Sequence, residues 1–307
     1  LLTGSGAVVV VAVHAERISH GANRMPRPRP VREDVDMTRF IVVPQWQGSP
    51  SSRAMQLIDG AQAIAGDLPR AATTVLEVPM EAGESLGTGV HRFSALQRIR
   101  ALVDEAVAGH SEPVLVVGGD CGVALAPVAN ALQRHPGLAV VWIDAHPDLN
   151  SAESTPSGAF AGMVLRAIVG EGPDGLALSP DAVPPSRVVL AAARSFDPPE
   201  EEFVAEHGIP IVSPDGLSDP ESLVAAVRAT GADAVYVHVD LDALDPSAIA
   251  GNAHPEPFGV SVADLTAAIT RLRGAFPLAG ASIAGYSPAS PSVADDDLGA
   301  ILRVVGA

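Results

Sequence analysis

Val140-Val-Trp-Ile-Asp-Ala-His-Pro-Asp148 changes character halfway along. Its first four residues are apolar, with Val140, Val141 and Ile143 branched at Cβ, as in a strand covered on both faces of a parallel sheet. It then delivers a carboxylate, an imidazole and a second carboxylate at alternate positions. Side chains alternate faces along an extended backbone, so Asp144, His146 and Asp148 fall on one side. Two other apolar runs end in the same way. They are Val114-Leu-Val-Val-Gly-Gly-Asp-Cys121 and Val235-Tyr-Val-His-Val-Asp-Leu-Asp-Ala-Leu-Asp-Pro246. Asp240 and Asp242 share a side, with His238 in phase.

Further apolar runs lie at Phe40–Val43, Thr73–Val78, Arg187–Ala192, Ile209–Val212 and Leu278–Ala284. Helical patterns separate them. In Phe93–His110, Leu96, Ile99, Val103, Ala106 and Val107 fall on one face. Leu217–Thr230 and Val262–Arg273 read the same way. Repeating strand–helix units predict an α/β architecture with right-handed crossovers. Periodicity alone leaves a closed barrel and an open sheet both open. In either, ligands bind beyond the carboxyl ends of the strands, where the polar residues stand.

Composition narrows the function classes. The 307 residues include 19 basic and 36 acidic side chains, a net charge of −17. A protein that tracks a phosphate backbone needs a basic field, so nucleic acid is excluded as a partner. All the basic residues are arginine. Without lysine there is no Schiff base and no P-loop lysine. One cysteine, Cys121, allows neither an intrachain disulfide nor a CxxC redox pair, which places the chain in a reducing, cytoplasmic compartment. The apolar run Val8–Val13 is far shorter than the ~20 residues of a membrane span. Alternating Pro and Arg from Met25 to Arg32 cannot continue a helix. Residues 1–36 are therefore expected to be a poorly ordered extension, and residues 37–307 one domain.

A single DxD often caps a helix, and a single histidine at a strand end often only makes a hydrogen bond. The two acidic clusters together, each closing a buried strand, converge four carboxylates and an imidazole on one sheet edge. Like charges at that spacing repel unless neutralised, which calls for divalent cations. An oxygen-rich, imidazole-containing set suits Mn²⁺ or a similar borderline-hard metal.

These segments resemble the ureohydrolase family of arginase, agmatinase and formimidoylglutamase, whose signatures are GGDH[ST], DAHxD and [ST]xDxDxxDP. Here they stand as Gly118-Gly-Asp-Cys121, Asp144-Ala-His-Pro-Asp148 and His238-Val-Asp-Leu-Asp-Ala-Leu-Asp-Pro246, within a pattern covering about residues 40 to 305. The resemblance implies a three-layer α/β/α fold with an open, mainly parallel eight-stranded sheet, two Mn²⁺ per subunit, and trimers or hexamers of the chain. It implies one metal held by the Cys121 position, Asp144, Asp148 and Asp240, and the other by His146, Asp144, Asp240 and Asp242. Asp144 and Asp240 would bridge the two. A metal-bound hydroxide oriented by Asp148 would attack an amidine or guanidinium carbon. Asn150, Ser157 and Asp197 stand at or near positions that contact the amino-acid end of the substrate; as loop caps they would be equally ordinary.

Three positions depart from the family. Cys121 replaces its histidine ligand, either as a thiolate that favours a metal softer than Mn²⁺, or as a small buried thiol beside a lost ligand. Ala161 stands where arginases carry a proton-shuttling histidine. His254, on the loop after Asp245-Pro246, is the candidate replacement, with an exposed loop histidine the other reading. Gly285 stands where the family grips guanidinium with glutamate, and glycine neutralises no cation. Glu256 is the nearest acidic candidate to take over. The reading is a metal-dependent hydrolase of amidine, guanidino or formimino C–N bonds with an atypical pocket for a small-molecule substrate. The alternatives are an impaired ureohydrolase-fold protein with a partial metal site, and a mononuclear amidohydrolase.

Overall fold

Strand β4, Ala139–Ile143, is buried at every position and is the middle of the sheet's site-forming half. Its alternation sorts the molecule into layers. Val141 and Ile143 enter one core, and Val140 and Trp142 enter the other. The structure is a computed structural model and describes residues 39–307, so the expected extension at residues 1–36 lies outside the described residues.

Eight strands are described: β1 Arg39–Val43, β2 Thr73–Val75, β3 Val114–Gly118, β4, β5 Val188–Ala191, β6 Ile211–Val212, β7 Val235–Asp240 and β8 Leu278–Ala284. They form one sheet in the order β2-β1-β3-β8-β7-β4-β5-β6, and every pairing is parallel. The sheet is open, with β2 and β6 as edges, so the barrel that periodicity allowed is set aside. Helices α1 Gln56–Asp67, α2 Phe93–Ala108, α3 Leu125–Arg134, α4 Val164–Ile168, α5 Pro198–His207, α6 Pro220–Ala229, α7 Val262–Arg273 and α8 Pro291–Gly306 connect the strands. α1, α6, α7 and α8 bury their apolar sides on one face, while α2 to α5 cover the other. Among the described residues, no helix is long and apolar enough to cross a membrane.

Three boundaries differ from expectation. The run Thr73–Val78 pairs only over Thr73–Val75, and Ile209–Val212 only over Ile211–Val212. Both lie at sheet edges, where one neighbour instead of two fixes the strand. The helix expected from Leu217 begins at Pro220, because Asp219 caps it by accepting from Glu221 N, and proline suits the first helical position. Leu217 is still buried, in the short turn before the cap.

The strand order builds the cleft. β3 and β4 are consecutive in sequence but are separated in the sheet by β8 and β7. The carboxyl ends of β3, β8, β7 and β4 therefore open along one stretch of the sheet edge, and β3, β7 and β4 are each followed by one of the polar segments.

Candidate metal centre

Each turn beyond the strands is folded by the carboxylate that opens it. Asp144 Oδ1 accepts from His146 N at 2.7 Å, and Asp240 Oδ1 from Asp242 N at 2.9 Å. Asp242 Oδ1 then accepts from Ala145 N at 2.9 Å and ties the two turns together. Asp120, after β3, accepts from Gln45 Nε2, Gly48 N and Gly122 N, presenting Cys121 to the same space. Asp120 thus spends its oxygens on the loop.

The result is a cavity of about 270 Å³ lined by Cys121, Asp144, His146, Asp148, Asp240 and Asp242. All but His146 are buried. His146 Nδ1 lies 3.0 Å from Asp242 Oδ2 and 3.5 Å from Asp144 Oδ1. The Cys121 thiol donates to Asp240 Oδ2 at 2.9 Å. Asp148 takes the left-handed conformation at φ 51°, and its Oδ2 is buried without a partner. Two donor triads have their atoms within 4.8 Å of one another: Asp144, His146 and Asp242, and Cys121, Asp144 and His238.

The electrostatics fit a cation. Burial first, then Asp242, pushes the Asp240 carboxyl up to about 7. Burial and then Asp144 push Asp242 up to about 6. Burial and then Asp144 hold Asp148 well above the usual carboxylate range. Burial, followed by Asp240, pushes the Cys121 thiol up. For His146, burial works downward, but its contacts with Asp144 and Asp242 prevail and raise it to about 12. These groups crowd negative charge that one imidazolium only partly offsets, and a divalent cation reverses each penalty. Arg194 is nearby, but its guanidinium bonds the carbonyls of Ala192, Asp242, Glu256 and Pro257 and so braces the loop.

The remaining candidates divide. Asn150 and Asp197 both line the cavity, but Asn150 Nδ2 donates to Asp197 Oδ2 at 2.8 Å, and Asp197 caps α5. Ser157 lies exposed at the mouth, its Oγ accepting from Ala159 N. His254 lines the cavity with Nε2 buried and unpartnered, its ring edge-on to His146 at 6.4 Å. It is half-buried, not an exposed loop residue. Glu256 is absent from the cavity lining and reaches only the outer side of His146, 3.7 Å from Nε2. Ala161 lines the wall.

Gly285 lines the same cavity at φ 87°, and a Cβ there would lie 2.1 Å from Asp240 Oδ1. This backbone has room for glycine alone. Gly285→Ala is expected to cost about 1–3 kcal/mol, from strain and the displaced carboxylate. Gly299→Ala in α8 meets nothing within 4 Å and should gain about 0.5–1 kcal/mol. Urea midpoints of the two variants check the contrast.

Two buried residues beside these side chains have no role in the sequence reading; Glu200 lines the cavity and His238 lies behind its lining. Glu200 is buried and holds Leu149 N and Asp197 N, bracing the turn after Asp148. Its signal was the capping box that begins α5. His238 stands two residues deeper than Asp240 on β7, in the phase that the sequence shows, but without an assigned role there.

Fold and cleft define a three-layer α/β/α protein with a carboxylate- and histidine-lined cleft at the carboxyl edge of a parallel sheet. The arginase family model matches residues 39–300, and the chain belongs to that family. Arginase from Staphylococcus aureus (strain MRSA252) is 31% identical over 186 residues, 56% of this chain and 60% of that one. Arginase from Bacillus caldovelox is 36% identical over 170 residues, 52% of this chain and 56% of that one. These alignments therefore span little more than half of each relative. Solved structures match over greater lengths. The native B. caldovelox arginase superposes with a TM-score of 0.74 at 27% identity, covering 88% of this chain and 98% of that one. Entamoeba histolytica arginase in complex with L-ornithine gives 0.76 at 21% identity, over 88% and 100%; that likeness shows the fold alone.

Proposed function

We propose that the chain is a metal-dependent hydrolase of linear C–N bonds in amidine, guanidino or formimino compounds, with a pocket unlike that of arginase. The observation that carries the reading is the convergence of Cys121, Asp144, His146, Asp148, Asp240 and Asp242 on one cavity. One cation would be held by Cys121, Asp144, Asp148 and Asp240, and the other by His146, Asp144, Asp240 and Asp242. Mn²⁺ is the family's metal; Cys121 favours a softer ion at its side. Two divalent cations held there would supply Lewis-acid activation of water near neutral pH.

The side chains do the rest. Asp148, with Oδ2 free, accepts a hydrogen bond from the attacking water and orients it toward the planar carbon. His254 relays a proton from that water to the leaving nitrogen. Burial lowers the basicity of His254, so its ring is neutral near pH 7 and able to take the proton first. Asn150, Ser157 and Asp197 form the wall that meets the far end of the substrate. Gly285 supplies no charge to a guanidinium, so a non-guanidino substrate, or an amidine whose charge is met elsewhere, fits the inner pocket better than arginine does. Glu256, at the outer side of His146, is too far out to take over that grip. The reading includes a cytoplasmic location and a trimeric or hexameric assembly.

His254→Asn is expected to lower kcat about 10²-fold with unchanged metal content. Metal analysis alongside steady-state kinetics checks both halves. The reading is tested by measuring ammonia and urea release from guanidino, formimino and amide compounds by the Mn²⁺-, Zn²⁺- and Co²⁺-loaded chain. Turnover of an amidine or formimino compound that is lost in Asp148→Asn supports it. No release with any metal would sink it in favour of an impaired member of the fold.

A further inference from the structure

We propose that the inner half of the cleft is a thiolate–imidazole site, formed by Cys121 Sγ, His238 Nε2 and a carboxylate oxygen of Asp144, which takes Zn²⁺ or Co²⁺ in preference to Mn²⁺. The inference rests on the cleft binding cations and not on the reaction.

The parallel register sets the geometry. On β7, His238 lies opposite Trp142 of β4 and Ser282 of β8. The Trp142 and His238 rings stack with centroids 3.8 Å apart and planes 24° apart. On the other side, His238 Nδ1 lies 2.8 Å from Ser282 Oγ. The ring is therefore clamped from both neighbouring strands. His238 is fully buried, yet Nε2 has no hydrogen-bond partner. Buried ring nitrogens are normally satisfied, so an orphan points to an unrecorded partner. In the tautomer whose Nδ1–H donates to Ser282, the lone pair sits on Nε2, the arrangement found in metal-bound histidine.

The neighbours of the ring complete the site. A ring nitrogen of His238, Cys121 Sγ and an Asp144 oxygen all lie within 4.8 Å of one another; Nδ1 is turned to Ser282, which leaves Nε2 as the free donor. Tetrahedral ligand bonds of about 2.0–2.3 Å place the donors of one ion about 3.3–3.7 Å apart, so the three atoms close up by at most about an ångström on binding. Trp142 Nε1 donates to Asp144 Oδ2 at 3.2 Å and orients the shared carboxylate.

The sequence pattern agrees. The family signatures carry histidine at the Cys121 position and Ser or Thr at the His238 position. This chain has lost an imidazole at the first place and gained one at the second, so the nitrogen donor has changed strands and a sulfur has joined it. The two triads that share Asp144 are thereby unequal. Asp144, His146 and Asp242 offer oxygen and one nitrogen, which suits Mn²⁺. Cys121, His238 and Asp144 offer sulfur, nitrogen and oxygen, which suits Zn²⁺ or Co²⁺.

The test titrates the metal-free full chain with Co²⁺ and with Zn²⁺. At one equivalent of Co²⁺ a thiolate-to-metal charge-transfer band is expected, absent in Cys121→Ser. His238→Asn should weaken Zn²⁺ binding by about 10–100-fold or more without moving the melting temperature of the metal-free chain by a similar proportion. Should that variant fail to fold, zinc X-ray absorption of the unmodified chain decides. A sulfur at about 2.3 Å together with imidazole nitrogen supports the site, and a shell of oxygen and nitrogen alone overturns it. A missing thiolate band, or equal Zn²⁺ affinity in a folded His238→Asn, also overturns it. Amidine hydrolysis by the Mn²⁺ form without any thiolate band would defeat this inference and leave the proposed function standing. The band without hydrolysis of any amidine would do the reverse.

Discussion

Asp240→Asn is expected to reduce bound metal from two ions to one or none and to lower kcat/KM by about 10³-fold or more, roughly 4 kcal/mol of transition-state stabilisation. Asp240 closes β7, is buried, and accepts from both the Cys121 thiol and Asp242 N. Asparagine keeps one carbonyl oxygen for the backbone bond but removes the charge that would hold two cations. The same change should stabilise the metal-free protein. It deletes one of several crowded, buried negative groups, and losing that repulsion is expected to gain about 1–3 kcal/mol near pH 8. Opposite signs for activity and metal-free stability mark a functional carboxylate. If Asp240 served only to fold the turn, asparagine would leave activity intact.

Stability of the chelator-treated chain should fall as pH rises, the reverse of ordinary acid denaturation. The carboxyls of Asp240 and Asp242 are raised to about 7 and about 6 by burial and by their acidic neighbours. In an unfolded chain they titrate near 3.9. A group with a raised folded-state value contributes stability that is fully present below its unfolded value and is lost as pH climbs through the folded one. The loss therefore runs from about pH 4 to about pH 7 and amounts to several kcal/mol, at roughly 1.4 kcal/mol per unit for each group. Bound cations favour the ionised forms, so the loaded protein should instead gain stability over that window. Urea midpoints at about pH 5 and about pH 8, with and without chelator, check both slopes. Equal midpoints for the chelated protein at the two pH values would show that the carboxylates are not crowded as described.

The buried strands are legible in the sequence; the turns that follow them are not. The apolar runs on both faces announced a parallel sheet, because face and phase along a strand depend only on neighbouring residues. Strand alternation reaches only to Ile143 in β4 and Asp240 in β7. Asp144, His146, Asp148 and Asp242 lie in the turns beyond, with Asp148 left-handed, so their convergence comes from the turns that Asp144 and Asp240 fold and not from strand phase. Sheet closure was not local, and only the resemblance selected an open sheet before the order β3-β8-β7-β4 was known. His238 illustrates the limit. Its phase was legible, but its stacking on Trp142 and its bond to Ser282 depend on β4 and β8 flanking β7. Glu256 illustrates the converse. Proximity in sequence to His254 made it a candidate for the inner pocket, and the loop braced by Arg194 turns it toward the rim instead. The edge runs at residues 73–78 and 209–212 were read as too long, since apolar character persists where a second pairing neighbour does not.

The measurement that bears most directly on the central claim is the metal content of the purified full chain, after loading with Mn²⁺, Zn²⁺ or Co²⁺ and removal of free ion. Two divalent ions per chain are expected, falling to one or none in Asp240→Asn. A chain that retains no stoichiometric divalent ion under any of these loadings would contradict the reading of Cys121, Asp144, His146, Asp148, Asp240 and Asp242 as a metal centre.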